Sequence, residues 1–99
     1  QNEVLRPILK MQHDLLCAIF LHFMAKRKVR FAELPCQEQL RHIGQGLQQD
    51  TRLRSLLLGA VIGQFTLEEY QVFLRQEADA TRRMIAMMTE RLRHQLVRP

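Results

Sequence analysis

Residues that make turns, disulfides and aromatic clusters are scarce in this sequence. Its 99 residues include 4 Gly, 3 Pro, 2 Cys, one Tyr and no Trp. Sandwiches and barrels need turn residues about every 8–12 positions, so this composition disfavours an all-β fold and favours helices. Cys17 and Cys36 are too few for a disulfide scaffold. We therefore expect reduced thiols in a cytoplasmic protein.

Motifs for catalysis and for cofactor binding are also missing. The one serine, Ser55, lies in an apolar stretch, and Gly44-Gln45-Gly46 has no strand before it, as a phosphate-binding loop would require. His13 and Cys17 stand four residues apart on one helical face, but zinc needs three or four ligands. We expect a protein that is not an enzyme, with no catalytic residue, metal site, cofactor or small-molecule substrate.

What the sequence does contain is helical periodicity, beginning with a predicted helix from about Arg6 to Lys28. The run from Leu15 to Ala25 is apolar except for His22. It is too short to span a bilayer, which takes about 20 residues, so we expect no membrane association. Because its apolar residues extend almost all round the helix, it is typical of a helix that is central in a bundle or buried in an oligomer interface.

Two shorter helices are predicted after the connector Val29–Leu34. The second helix, from Pro35 to about Gln48, has the weakest support, because each of its two glycines costs about 1 kcal/mol relative to alanine. The third helix runs from Thr51 to Ile62, and Asp50 is well suited to cap its start.

The strongest local signal is the start of a fourth helix. Thr66 and Glu69 have the spacing of a capping box, and Phe65 and Tyr70 have that of a hydrophobic staple. No Gly or Pro follows until Pro99. The pattern predicts one helix of about 30 residues and about 45 Å, too long for a 100-residue domain with a radius of gyration of about 13 Å.

The predicted fold is therefore a single all-α domain over residues 1–99, a four-helix bundle-like domain with a long C-terminal helix. We expect the far end of this helix to overhang the core and to bind a partner or a second copy, since methionine suits adaptable surfaces. The residues expected at that interface are Met84, Ile85, Met88, Leu92 and Leu96. The leading hypothesis is a non-enzymatic regulatory or adaptor protein that acts through helix-mediated protein–protein binding as a homodimer.

The charge of the chain supports an alternative hypothesis, a small basic DNA-binding regulator of transcription. The formal net charge is +5 and the pI is about 10.0, which favours acidic partners. A helix-turn-helix is disfavoured, because the third helix is too apolar to read a groove. The cations that could contact phosphates are Lys26, Arg27, Lys28, Arg30, Arg82 and Arg83. Equally, both clusters could be solvated helix ends that only raise solubility.

Overall fold

In the computed structural model, which describes residues 2–97, every regular element is a helix. The elements are α1 Asn2–Met11, α2 His13–Lys26, a 3₁₀ turn Phe31–Glu33, α3 Cys36–Gln49, α4 Thr51–Ile62, α5 Leu67–Arg75 and α6 Glu77–Leu96. The all-α prediction is confirmed, because these residues contain no strand. The predicted number of four helices is wrong: six α-helices are present between residues 2 and 97, because two of the predicted helices are each broken into two.

The first predicted helix is broken at Gln12. It begins at Asn2, earlier than expected, and α2 turns 66° away from α1. Because of the bend, Leu9 of α1 and Phe20 of α2 both lie fully buried in one core. A straight helix of the same length would extend beyond that core. Within residues 2–97 no single helix is long and apolar enough to cross a membrane. α1 and α2 taken together reach that length and composition, but the pair is bent by 66° at Gln12.

The last predicted helix is broken at Gln76, so the prediction of one unbroken C-terminal helix is wrong. Gln76 has φ −137° and ψ 40°, outside the helical region, and separates the nine residues of α5 from the 20 of α6. The break brings Phe73 of α5 beside Leu5 of α1 and Met84 of α6. A straight helix would carry α5 beyond the core, so burial of Phe73 outweighs the continuous helical propensity of this segment.

The core is one continuous cluster to which all six α-helices contribute. Its largest fully buried side chains are Leu9, Phe20, Met24, Ile43, Leu47, Leu53, Leu57, Met84, Met88 and Leu92. Gly46 explains why α3 tolerates glycine. A Cβ atom there would lie 3.2 Å from Leu53 Cδ2 and 3.5 Å from Phe20 Cε1, so glycine lets α2, α3 and α4 approach closely.

The predicted ends of α3 and α4 agree well with the structure. α3 runs one residue later than expected at each end, and α4 has its predicted bounds. Asp50 is the N-cap of α4, as predicted: its Oδ1 accepts the Leu53 backbone N–H at 3.2 Å. The connector also packs inward, because Phe31 is buried edge-to-face against Phe20 with ring centroids 5.3 Å apart.

Candidate functional site

The five residues predicted to form a partner interface lie against the core of the chain itself. Met84, Ile85, Met88 and Leu92 are buried there, and Leu96 is half-buried against the same cluster. The reason is the break at Gln76, which removes the expected overhang and leaves α6 packed mainly on α2 and α3, with further contacts to α4 and α5. Met84, Ile85, Met88 and Leu92 are therefore not exposed on the surface of the folded chain.

The six predicted phosphate-binding cations lie in two separate parts of the molecule. Arg82 and Arg83 are in the second turn of α6, whereas Lys26 is the last residue of α2. α1 runs in the same direction as α6, because Val4 and Ala80 line one concavity nearer the starts of the two helices and Lys10 and Glu90 line another nearer their ends. α2 then departs from α1 at 66° and carries Lys26 away from the start of α6.

Several of these cations already face acidic side chains. The pairs are Arg27 with Asp50, Arg30 with Glu33 at 4.0 Å, and Arg82 with Asp79. Lys26 Nζ lies 5.7 Å from the centre of the Phe23 ring. The Arg30–Glu33 and Arg82–Asp79 pairs are exposed, and exposed pairs are worth about 0–1 kcal/mol and are screened by salt. They therefore reduce the local positive charge only weakly. The cations do not form one joined patch.

His13 and Cys17 lie one turn apart at the start of α2, as their spacing predicted. Each is packed among other side chains of this chain. His13 Nε2 lies 3.3 Å from Gln95 Oε1, and Nδ1 lies 3.4 Å from a guanidinium nitrogen of Arg91. Burial raises the pKa of the Cys17 thiol, and nearby Asp14 raises it further. Among residues 2–97 no three His, Cys, Asp or Glu side chains come together as metal ligands. His13 instead links α2 to the end of α6.

One apolar surface that the structure leaves open lies along α2. It consists of the exposed residues Leu15, Ala18, Leu21 and Ala25, with His22 among them, and we call it the α2 stripe. Leu15 is 46% exposed and Leu21 is 39% exposed. Their spacings of three and four residues place them on one helical face. The sequence showed that α2 is apolar nearly all round, but only the packed neighbours decide which face stays uncovered.

A second open surface is a groove formed by α1, α5 and the first half of α6, which we call the α5 groove. Its volume is about 280 Å³. The apolar side chains that line it are Val4, Leu5, Phe65, Val72, Phe73, Ala80 and Met84, and Glu68 and Glu69 add carboxylates. Aromatic contacts hold its wall, since the Phe65 and Phe73 rings lie 5.9 Å apart and those of Tyr70 and Phe73 lie 6.0 Å apart.

α5 buries few of its apolar side chains. Within Leu67–Arg75 only Phe73 is buried, while Leu67 is 72% exposed and Val72 is 42% exposed. Its start is nonetheless well fixed. Glu69 N–H donates to Thr66 Oγ1 at 3.1 Å and Thr66 N–H donates to Glu69 Oε1 at 2.8 Å, which confirms the predicted capping box. A well-capped helix thus presents apolar side chains to solvent.

A third concavity lies between α1 and α6, with a volume of about 700 Å³. It is wide and carries three cations, Arg6, Lys10 and Arg91, with Glu90 as its acid. The phosphate contacts predicted from the sequence did not include these three cations, because Arg6 and Lys10 are far from Arg91 along the chain and only the fold places them around one concavity.

Comparisons with known proteins add no assignment: no protein-family model, no curated protein and no solved structure matches this chain.

Proposed function

We propose that this protein is a non-enzymatic regulatory or adaptor protein that acts through helix-mediated binding as a homodimer, with the α2 stripe as its self-association surface. The observation that carries the proposal is the run of exposed apolar residues along one face of α2. Single exposed apolar residues are ordinary, but a contiguous set on one helical face is typical of a binding surface.

The charges at the two ends of α2 favour an antiparallel pairing of two copies. Asp14 lies in the first turn of α2 and Lys26 in the last, and both are exposed. In a two-fold symmetric dimer the same patch of each subunit meets the other, so residue i contacts j and j contacts i. A two-fold axis midway along α2 would place Asp14 opposite Lys26 of the partner subunit, and Leu15 near Ala25 of the partner subunit.

The size of the stripe sets the expected strength of the dimer. The 14 residues of α2 span about 21 Å, and a helix is about 10 Å wide. Such a face is smaller than the roughly 800 Å² per partner of a standard stable interface. We therefore expect a reversible dimer that dissociates in the micromolar range.

Sedimentation equilibrium at tens of micromolar, with no partner present, tests the dimer. Leu21→Glu should shift the protein to monomer because it places a charge in the apolar contact, while the matched control Leu67→Glu on α5 should not. Asp14→Lys should weaken the dimer, and adding Lys26→Glu should restore it if the helices are antiparallel. A wild-type monomer at these concentrations would contradict the proposal.

The DNA-binding alternative has less support from the geometry, because its cations form two separate clusters and three of them face acids. It remains testable. Phosphate contacts release counterions, so affinity for duplex DNA should fall steeply with salt. Binding at low salt that is lost in a Lys26→Ala, Lys28→Ala variant would favour this alternative over the adaptor role.

A further inference from the structure

We propose that the α5 groove is a receptor for a basic amphipathic helix of a partner protein. This inference rests on the proposed adaptor role, for which it names the class of partner. The groove and the α2 stripe are lined by different residues, so self-association and partner binding can be tested separately.

Charge complementarity identifies the partner as cationic. The residues that line the groove include two carboxylates, Glu68 and Glu69, and no lysine or arginine. The whole chain carries +5, so the groove is an acidic site on a basic protein. A basic ligand is therefore attracted to the groove, while nucleic acid and anionic lipid are disfavoured there.

The size and lining of the groove suit inserted apolar side chains. Its volume of about 280 Å³ is close to the lower limit of the range of about 300–1,000 Å³ for ligand pockets. Phe73 and Met84 are buried at its base, while Val72 stays 42% exposed at its side. An inserted apolar side chain would cover Val72 and contact Phe73, removing from water a surface that is now open.

A helix is the form of peptide that this site favours. Extended peptides usually bind by adding a strand to the edge of a sheet, and residues 2–97 offer no strand. Apart from those at the helix ends, the backbone N–H and C=O groups of α1, α5 and α6 are hydrogen-bonded within those helices. Recognition must therefore come from side chains, as when an amphipathic helix lays residues i, i+3, i+4 and i+7 into an apolar groove.

A pair of synthetic peptides tests this proposal directly. The first has leucine at i, i+3, i+4 and i+7 with lysine at the flanking positions, and the second has the same leucines with glutamate in place of lysine. We expect the lysine peptide to bind at least about tenfold more tightly at low salt, because of electrostatic complementarity. Equal affinity of the two peptides, or no binding of the lysine peptide at about 100 μM, would overturn the inference.

The position of the bound peptide on the protein is tested by nuclear magnetic resonance and by site-specific variants. Amide shifts caused by the lysine peptide should concentrate near Val4, Val72 and Ala80, and shifts confined to other helices would overturn the assignment. Glu68→Lys should weaken binding about tenfold through like-charge repulsion, whereas the matched reversal Glu33→Lys, far along the chain in the 3₁₀ turn, should leave affinity within about twofold. Glu68 is chosen over Glu69 because Glu69 forms the capping box.

Val72→Arg gives the second site-specific variant. Val72 is exposed, so the folded chain should tolerate the change, and circular dichroism checks this. Loss of at least about tenfold in affinity is expected from the added charge and lost apolar wall, and unchanged affinity would overturn the groove as the site. Dimerisation is tested separately with Leu21→Glu, which should abolish self-association and leave the affinity for the lysine peptide unchanged. Failure of the peptide test thus leaves the dimer standing, and the reverse also holds.

Discussion

The carboxylate of Asp50 joins the end of α2 to the start of α4. Its Oδ1 caps α4 by accepting a hydrogen bond from the Leu53 backbone N–H. Its Oδ2 accepts a hydrogen bond from the guanidinium of Arg27. The Asp50 side chain is only 10% exposed, while that of Arg27 is 50% exposed. One acid therefore both satisfies a helix terminus and holds a cation that the sequence alone assigned to phosphate binding.

Substitutions of Asp50 should separate the helix cap from the ion pair. Asn is as good a cap as Asp, so Asp50→Asn should lose only the pair and cost at most about 1 kcal/mol, because Arg27 is half exposed. Asp50→Ala should lose a further amount of about 1 kcal/mol with the cap. Urea unfolding measures both. Arg27→Met should match Asp50→Asn, and an equal cost for Asn and Ala would contradict the capping role.

Two glycines in helices should respond differently to alanine. Nothing lies within 4 Å of a Cβ atom at Gly59, so Gly59→Ala should stabilise the protein by up to about 1 kcal/mol through helix propensity. At Gly46 the same gain is opposed by Leu53 Cδ2 at 3.2 Å and by Phe20, so Gly46→Ala should stabilise less or destabilise. The thermal unfolding temperatures of the two variants, compared with that of the wild type, measure the steric cost of the added methyl group at Gly46. Equal gains would mean that α2, α3 and α4 are not closely packed there.

Removal of the capping box should loosen α5 without disturbing the core. Thr66→Ala deletes the side chain that accepts the Glu69 N–H, a loss of about 1 kcal/mol or roughly a fivefold shift in a local equilibrium. Amide hydrogen exchange in α5 should speed up by about that factor, because α5 buries only Phe73 within its nine residues and can open locally. Amides of α4 should exchange at their former rate. Thr51→Ala is the control, since Asp50 already caps α4.

The two free cysteines should differ in their reaction with a thiol reagent. Cys36 is exposed and should be modified first, while Cys17 is buried and should react slowly. Burial raises the pKa of Cys17, so its thiolate is disfavoured at neutral pH and its reaction should speed up only in strongly alkaline solution. Because the folded chain holds this proton more tightly than the unfolded chain does, Cys17 lowers stability as the pH rises through the ordinary thiol range.

Mass spectrometry of the protein during labelling measures this order, with Cys36→Ser as the control that leaves only the slow site. Two thiols that react at the same rate in the native protein would contradict the burial of Cys17.

The short-range signals in the sequence were sufficient to predict where several helices begin or end. The Thr66–Glu69 capping box and the Asp50 cap are present as predicted, because each is formed by residues within three positions of one another. The same signals failed at Gln12 and Gln76, where no Gly or Pro marks a break. Intrinsic helix propensity is worth less than 1 kcal/mol per residue, so burial of a side chain such as Phe73 can override it.

The sequence by itself determined that this chain is helical, where its capped helices begin, and that α2 is apolar on nearly every side. Only the tertiary structure decided which apolar faces are buried. It places Met84 and Met88 in the core and leaves Leu15, Leu21 and Val72 open, because the bends at Gln12 and Gln76 fix which helices are neighbours. Periodicity gives the direction of a side chain relative to its own helix, whereas exposure depends on contacts between residues far apart in the chain.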